Sequence, residues 1–218
     1  MYRYIFFDLD GTLTDSKAGI LNCARYALET LGKPVPSDET LLKFVGPPLQ
    51  ESFQTYCGFT GDLLREAIDL FRARYAPQGQ YENQAAPGMA ELLARLKEQG
   101  YVMAVASSKV EPMCVSICQR FGFAPSLAAV VGSPPSDDSD KASILRGAMG
   151  RLGLTGADIP QCLMVGDRKY DVLGAKALGM DCAGVEFFGY AEPGELEKAG
   201  AVTVVQTVEA LETFILTH

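Results

Sequence analysis

Residues 4–11 of the chain read YIFFDLDG. The apolar run from Tyr4 to Phe7 ends at Asp8, and short apolar runs bounded by turn residues are typical of buried parallel strands. Similar runs recur along the chain and alternate with stretches of helical periodicity, which predicts an α/β fold with a doubly wound parallel sheet. The further predicted strands are Tyr101–Ala106, Leu127–Val131, Cys162–Val165, Asp181–Val185 and Ala201–Val205.

One long segment departs from this alternation of strands and helices. Residues 17–84 carry apolar side chains at helical spacing, and no convincing strand interrupts them. We therefore predict an all-helical lobe at residues 16–85, inserted after the first strand, and a core formed by residues 1–15 and 86–218. Because the chain crosses between the two parts twice, we expect the crossings to form a hinge.

The composition is that of a globular protein and excludes several functions. Of the 218 residues, 48% are hydrophobic and 21% are charged, which are ordinary values for a folded domain. The net charge of −8 and the lack of a long basic cluster argue against a nucleic-acid partner. The single histidine is the last residue, His218, so mechanisms that need a histidine inside the fold have no candidate.

The cysteines and the apolar runs bear on the compartment and on partners. The six cysteines include no Cys-x-x-Cys pair, so we expect buried free thiols in a reducing cytoplasm. No stretch approaches the roughly 18 apolar residues of a membrane span, so we expect no membrane partner. The sequence assigns no oligomeric state.

Two carboxylates follow the first predicted strand. Asp8 and Asp10 stand two positions apart where that strand ends, and ligands of open parallel sheets bind at this edge. Like charges that close together favour a bound cation or a shared proton, and both are useful for phosphoryl transfer. Gly11 and Thr12 come next and are expected to offer open backbone N–H groups to an anion. Taken alone, this segment is also an ordinary turn sequence.

Three later motifs follow strand-like runs in the same way. Ser107 and Ser108 could donate hydrogen bonds to phosphate oxygens, and Lys141 could neutralise a phosphate or a carboxylate. Asp167 and Asp171 add two carboxylates after another buried run. Each motif alone also fits a helix cap, a surface lysine or a helix-dipole partner. Because such groups recur at successive strand ends, we predict that they form one site.

This succession resembles the haloacid dehalogenase superfamily, whose signatures are Asp-x-Asp, a Ser or Thr after the second strand, a Lys, and Gly-Asp-x-x-x-Asp. The resemblance covers nearly the whole chain and implies a Rossmann-like core with a helical type-one cap. It implies that Asp8 is the nucleophile that becomes an aspartyl phosphate, and that Asp10 is the general acid and then the general base. It also implies that Ser107 and Lys141 hold the transferring phosphoryl group.

A Mg²⁺ ion is implied by the same resemblance. A carboxylate oxygen of Asp8, the backbone carbonyl of Asp10, and Asp167 would hold the ion together with phosphate and water. Asp171 would lie behind these ligands or orient Lys141. Mg²⁺ prefers oxygen ligands, which this carboxylate-rich and histidine-free set supplies.

The resemblance also narrows the reaction. Dehalogenases of the superfamily lack an acid at the position of Asp10, and the lobe lacks the histidine found in the caps of the sugar-phosphate mutases. The remaining motifs resemble the phosphoglycolate phosphatase-like and 5′-nucleotidase-like branch. We predict a cytoplasmic, Mg²⁺-dependent phosphomonoester hydrolase of a small phosphorylated metabolite, phosphoglycolate phosphatase-like in the first place and 5′-nucleotidase-like as the alternative.

Candidate specificity residues lie in the helical lobe. Gly46, Pro47 and Pro48 predict a stiff turn between two helices that faces the carboxylates, although the same residues also fit a simple helix break. Lys43 could meet a second anionic group of the substrate, or be a solvated charge on a helix face.

Two other classes of function fit part of the pattern. A non-catalytic phospho-receiver also combines a parallel sheet with clustered Asp and a Lys, but receivers are shorter and lack a helical insertion after the first strand. A protein phosphatase or phosphotransferase that acts on macromolecules would share the chemistry, but a lid over the site would obstruct a bulky phosphoprotein.

Overall fold

The computed structural model of the protein describes residues 1–134 and 139–218. Its strands are β1 (Tyr4–Phe7), β2 (Thr14–Asp15), β3 (Gln84–Ala85), β4 (Val102–Val110), β5 (Ala129–Ser133), β6 (Cys162–Gly166), β7 (Asp181–Val185) and β8 (Thr203–Val205). Its α-helices are α1 (Lys17–Thr30), α2 (Asp38–Leu42), α3 (Leu49–Cys57), α4 (Gly61–Tyr75), α5 (Met89–Glu98), α6 (Glu111–Arg120), α7 (Lys141–Arg151), α8 (Lys169–Lys176), α9 (Glu195–Ala199) and α10 (Val208–Thr217). Within these described ranges, no helix is both long and apolar enough to cross a membrane.

Six strands form one parallel sheet in the order β5-β4-β1-β6-β7-β8. The predicted α/β fold with a doubly wound sheet is therefore confirmed. The chain moves outward from β1 through β4 to β5, and then returns to build β6, β7 and β8 on the other side. Ligands of such sheets bind at the carboxyl ends of the strands beside this reversal. The first residue after β1 at that edge is Asp8.

The sheet is covered on both faces, which is why its strands read as continuous apolar runs. Ile5 and Phe7 belong to the core cluster that includes α5, α6 and α10, whereas Phe6 belongs to the cluster that includes α7, α8 and α9. Side chains alternate between the two faces along a strand. Asp8 therefore follows on the face of Phe6, where α7 and α8 pack.

The chain divides into two compact units, Met1–Thr14 with Ala85–His218, and Asp15–Gln84. Both crossings lie one residue earlier than the sequence predicted, and the paired two-residue strands β2 and β3 contain them. The second unit contains the four helices α1 to α4, as its periodicity predicted. Its core is rich in aromatic rings, and the ring pairs join Phe44, Phe53, Phe59, Phe71 and Tyr75.

Strand β4 is longer than its apolar run suggested. The run predicted a strand that ends at Ala106, but β4 continues to Val110 and includes Ser107. Its pairing with β5 shifts register between Ser107 and Val110, and we call this irregular segment of the ladder the bulge of β4. Helix α6 then begins at Glu111, so Ser107 is not a helix cap.

Candidate active site

Lys141 lies at the centre of the candidate site. It is the first residue of α7, and its side chain is only 4% exposed. Its Nζ lies 3.0 Å from Asp8 Oδ1 and 2.7 Å from Asp171 Oδ1, and it donates a hydrogen bond of 3.1 Å to the carbonyl oxygen of Ala106. Lys141 therefore connects the end of β1 and the middle of β4 to the first turn of α8.

The charges around Lys141 outweigh its burial. Burial disfavours the ammonium form, but the negative charges of Asp171 and Asp8 raise the pKa of Lys141 above its ordinary value. Burial raises the pKa of Asp171 to about 6, although Lys141 opposes this shift. The second oxygen of Asp171 accepts a hydrogen bond of 3.1 Å from the backbone N–H of Arg168. One Asp171 oxygen thus contacts the Lys141 ammonium group and the other accepts from the Arg168 backbone. This arrangement allows Asp171 to orient Lys141.

Asp167 follows β6 and faces the same edge of the sheet. It is 2% exposed, and its Oδ1 accepts a hydrogen bond of 3.2 Å from the Thr12 hydroxyl. Its Oδ2 is buried and accepts no hydrogen bond from the described residues. Burial, together with the charges of Asp171 and Asp8, raises the pKa of Asp167 well above its usual range. A buried carboxylate oxygen without a donor is a position that a cation would stabilise.

The carboxylates of the site fit a divalent metal ion. Carboxylate oxygens of Asp8, Asp167 and Asp171 all lie within 4.8 Å of one another, and all three residues are buried. With Asp10 included, four carboxyl groups lie near the two ammonium groups of Lys109 and Lys141, so acidic groups outnumber these ammonium groups by two. An oxygen-only ligand set of this charge suits Mg²⁺. Asp10 does not join this oxygen cluster through its side chain, so the predicted use of its backbone carbonyl stays a prediction.

Asp10 has a partner that sequence reasoning did not assign. Lys109 Nζ lies 2.8 Å from Asp10 Oδ2, and the two side chains are only 8% and 12% exposed. Lys109 stands in the Ser-Ser-Lys motif and could have been noticed as a cation beside the predicted hydroxyls. The direction of its side chain depends on the bulge in β4, which no local pattern reveals.

The expectation for the amides of Gly11 and Thr12 is wrong. The Gly11 N–H donates to the carbonyl of Thr14 at 2.7 Å, and the Thr12 N–H donates to the carbonyl of Leu9 at 3.4 Å. The loop therefore uses these two groups to close itself. By contrast, the N–H groups of Leu9 and Asp10 donate no hydrogen bond to the described residues, so they are better placed to receive an anion.

The two predicted serines lie within the second half of β4 but differ in burial. Ser107 is 2% exposed, and its Oγ accepts a hydrogen bond of 3.4 Å from the Lys109 N–H, which leaves its own proton to donate. Ser108 is partly exposed, and its carbonyl accepts a hydrogen bond of 2.8 Å from Ser133. Ser107 is therefore the more buried of the two serines, and it lies on β4, the strand that pairs with β1.

Glycines make room for the charged side chains. A Cβ atom at Gly11 would lie 2.1 Å from Asp167 Oδ2, and one at Gly166 would lie 2.3 Å from Asp171 Cγ. One at Gly174 would lie 2.7 Å from Lys141 Cβ. Gly11 also has a φ of +84°, which favours glycine for a second reason.

The candidate specificity residues belong to the second unit. Gly46, Pro47 and Pro48 join α2 to α3, and Pro48 is the N-cap residue of α3, so they form the turn between helices that the sequence predicted. Lys43 ends α2 as its C-cap residue. A role in specificity stays a prediction for all four residues.

Residues 5–185 match the haloacid dehalogenase-like hydrolase family. The chain is 34% identical over 218 residues to a protein of Pseudomonas aeruginosa named 5′-nucleotidase, covering 100% of this chain and 97% of that protein. It is 28% identical to the phosphoglycolate phosphatase of Vibrio parahaemolyticus over 88% of this chain and 87% of that one. It is also 36% identical to the tyrosine-protein kinase PtkA of Mycobacterium tuberculosis, over 96% of this chain and 71% of that protein.

Solved structures agree with this assignment. A crystal structure described as a predicted phosphatase from Clostridium acetobutylicum superposes with a TM-score of 0.93 and 37% identity, covering 100% of both chains. The resemblance inferred from the four motifs is confirmed, and the alternative of a non-catalytic receiver finds no support among these relatives. The chain therefore belongs to the haloacid dehalogenase-like hydrolase family, as one of its phosphatases.

Proposed function

We propose that the protein is a Mg²⁺-dependent phosphomonoester hydrolase that acts on a small phosphorylated metabolite through an aspartyl phosphate on Asp8. The observation that carries this proposal is the pair of carboxylates at the end of β1, each held by its own lysine. Asp8 is paired with Lys141 at 3.0 Å, and Asp10 is paired with Lys109 at 2.8 Å. One carboxylate can attack phosphorus while the other moves the proton.

Two displacement steps follow from this geometry. In the first, a carboxylate oxygen of Asp8 forms a bond to phosphorus, the bond from phosphorus to the ester oxygen breaks, and Asp10 donates its proton to the leaving alkoxide. In the second, water forms a bond to phosphorus, gives a proton to Asp10, and the bond from phosphorus to Asp8 breaks. Inorganic phosphate leaves, and both carboxylates return to their starting states.

Lys141 and the backbone stabilise the charge in both steps. The ammonium group of Lys141 offsets the repulsion between Asp8 and an incoming phosphate dianion. The Ser107 hydroxyl and the N–H groups of Leu9 and Asp10 are the donors available to phosphoryl oxygens. Asp8, Asp167 and the carbonyl of Asp10 would hold Mg²⁺, which would supply charge neutralisation at the phosphoryl group.

The relatives support a nucleoside 5′-monophosphate as the first substrate to test. The protein named 5′-nucleotidase matches all of this chain at 34% identity, whereas the phosphoglycolate phosphatase matches 88% of it at 28%. Phosphoglycolate is therefore the second substrate class. The similarity to PtkA favours one further assay, phosphate transfer from ATP to a tyrosine-containing protein.

The six free cysteines support the expected reducing cytoplasm.

The decisive experiment compares the wild-type protein with Asp8→Asn on a panel of phosphate esters, with Mg²⁺ and with EDTA. We expect Mg²⁺-dependent phosphate release by the wild type and a loss of at least about a thousandfold in Asp8→Asn. Asp69→Asn removes an exposed carboxylate on α4 and should retain full activity. Rapid acid quenching should trap label from a radioactive substrate on the wild type, and hydroxylamine should release it. Substantial activity in a folded Asp8→Asn protein would exclude Asp8 as the nucleophile.

A further inference from the structure

The two oxygens of the Asp10 carboxylate have different surroundings. Oδ2 lies 2.8 Å from Lys109 Nζ, whereas Oδ1 is buried and has no hydrogen-bond partner among the described residues. A buried carboxylate oxygen without a hydrogen-bond donor costs free energy, and a role in the reaction is one reason why a protein keeps such a group. The ion pair with Lys109 thus fixes one oxygen and leaves the other for the reaction.

The backbone around Lys109 holds this arrangement in place. The register of β4 against β5 shifts between Ser107 and Val110, and a bulge of this kind redirects the side chains within it. The carbonyl oxygen of Lys109 accepts a hydrogen bond of 3.4 Å from the Cys114 thiol. A Cβ atom at Gly132 on β5 would lie only 2.4 Å from that oxygen, so the neighbouring strand packs tightly against the bulge.

We propose that Lys109 is a positioning residue for the acid–base group, because it holds Asp10 Oδ2 and leaves Oδ1 as the oxygen that exchanges a proton with the leaving group. This inference rests on the function proposed above, in which Asp10 protonates the leaving group. Lys109 acts through Asp10, whereas Lys141 acts through Asp8, so the two buried lysines serve two different carboxylates. The long side chain of Lys109 reaches Asp10 from a different strand, across the β1–β4 pair.

The proposal predicts a dependence on the leaving group. An alkoxide needs a proton as it leaves, whereas 4-nitrophenolate leaves without one. In Lys109→Met, we expect the rate of phosphoenzyme formation from an alkyl phosphate to fall about 10-fold to 100-fold. The first equivalent of 4-nitrophenolate released from 4-nitrophenyl phosphate should form at nearly the wild-type rate. KM should stay within about twofold, and Lys109→Arg should recover much of the lost rate, because it keeps the charge and the donors.

A double-mutant cycle with Asp10→Asn distinguishes a positioning role of Lys109 from a general structural effect of its substitution. If Lys109 acts through Asp10, Lys109→Met should have no further effect in the Asp10→Asn background. Lys176→Met, which removes an exposed lysine of α8, is the matched control and should behave as wild type. Thermal unfolding of each variant reports whether the protein is folded, and calorimetric Mg²⁺ binding should be the same in Lys109→Met as in the wild type.

Three outcomes would overturn the assignment of Lys109. These are an equal loss for both leaving groups, a raised KM at unchanged kcat, and full activity of Lys109→Met on the alkyl phosphate. Failure of the proposed function would give a different result. Asp8→Asn would then hydrolyse phosphate esters at the wild-type rate, whatever the effect of substituting Lys109.

Discussion

Gly174 shows how a residue without a side chain supports a charged site. It lies within α8, where alanine is normally the better residue by about 0.5–1 kcal/mol. At this position, however, a Cβ atom would lie 2.7 Å from both Cβ and Cγ of Lys141. The neighbouring helix α7 would have to move, and Lys141 would move with it. Glycine is therefore required by close packing between helices, although its backbone is ordinary.

We predict opposite signs for two Gly→Ala substitutions in neighbouring helices. Gly174→Ala should destabilise the protein by about 1–3 kcal/mol, because it overpacks the contact with Lys141. Gly150→Ala in α7 has no atom near the new methyl group, so it should stabilise by about 0.5–1 kcal/mol. Urea unfolding of both variants measures the difference. Equal effects of the two substitutions would contradict the close contact at Gly174.

At the scale of elements, a buried ion pair attaches the loop after β6 to α9. Arg168 Nε lies 2.9 Å from Glu195 Oε1, and the two side chains are only 7% and 8% exposed. The same Glu195 carboxylate accepts hydrogen bonds from the backbone N–H groups of Lys169 and Glu192. These bonds, with the charge of Arg168, outweigh burial and lower the pKa of Glu195. Because Arg168 follows Asp167 directly, α9 braces the loop that carries a candidate metal ligand.

We predict that Glu195→Gln weakens this loop. The change removes the carboxylate charge that pairs with the buried Arg168 guanidinium, and it should destabilise the protein by on the order of 3 kcal/mol. Mg²⁺ binding, measured by calorimetry, should weaken as well, since Asp167 is no longer held as firmly. The matched control is Glu212→Gln, which breaks the more exposed pair with Arg95. It should change stability little and leave Mg²⁺ affinity unaltered. Equal effects of the two variants on stability and Mg²⁺ affinity would show that the Arg168–Glu195 pair does not support the loop that carries Asp167.

At the scale of the whole molecule, the site concentrates negative charge that folding has to tolerate. Four carboxylates and two ammonium groups meet at one edge of the sheet, in a chain whose net charge is already −8. A cation that binds only the folded protein stabilises it, by about 2.7 kcal/mol at one hundred times its Kd. The stability of the entire protein should therefore respond to Mg²⁺.

We predict that Mg²⁺ at about one hundred times its Kd raises the Tm of the wild-type protein by roughly 5–10 °C relative to EDTA. Without Mg²⁺, we expect Asp167→Asn to be more stable than the wild type. It removes a buried charge whose Oδ2 has no donor among the described residues, so in EDTA it should melt at a higher temperature than the wild type. With a candidate ligand lost, it should gain little from Mg²⁺. A Tm of Asp167→Asn that rises with Mg²⁺ as much as that of the wild type would exclude Asp167 as a ligand.

The six strands of the main sheet, the inserted helical lobe and the family could all be predicted from patterns in the sequence. Strand β1 is buried on both faces, so its residues form a continuous apolar run that ends at Asp8 and can be read locally. The helices of the lobe carry their apolar residues at regular spacing, which is also a local signal. Asp8, Asp10, Lys141 and the Gly-Asp-x-x-x-Asp segment could be recognised because each stands where a strand ends, in the short loop after it, or in the first turn of a helix.

The contacts between these groups depend on how distant parts of the chain pack together. Lys109 reaches Asp10 through a bulge set by the neighbouring strand β5, and Glu195 meets Arg168 from 27 residues away. The N–H groups of Gly11 and Thr12 are taken up inside their own loop, against the expectation from sequence. Such contacts depend on the register of strands and on the space between helices. That information belongs to residues far apart in the chain, so no local pattern carries it.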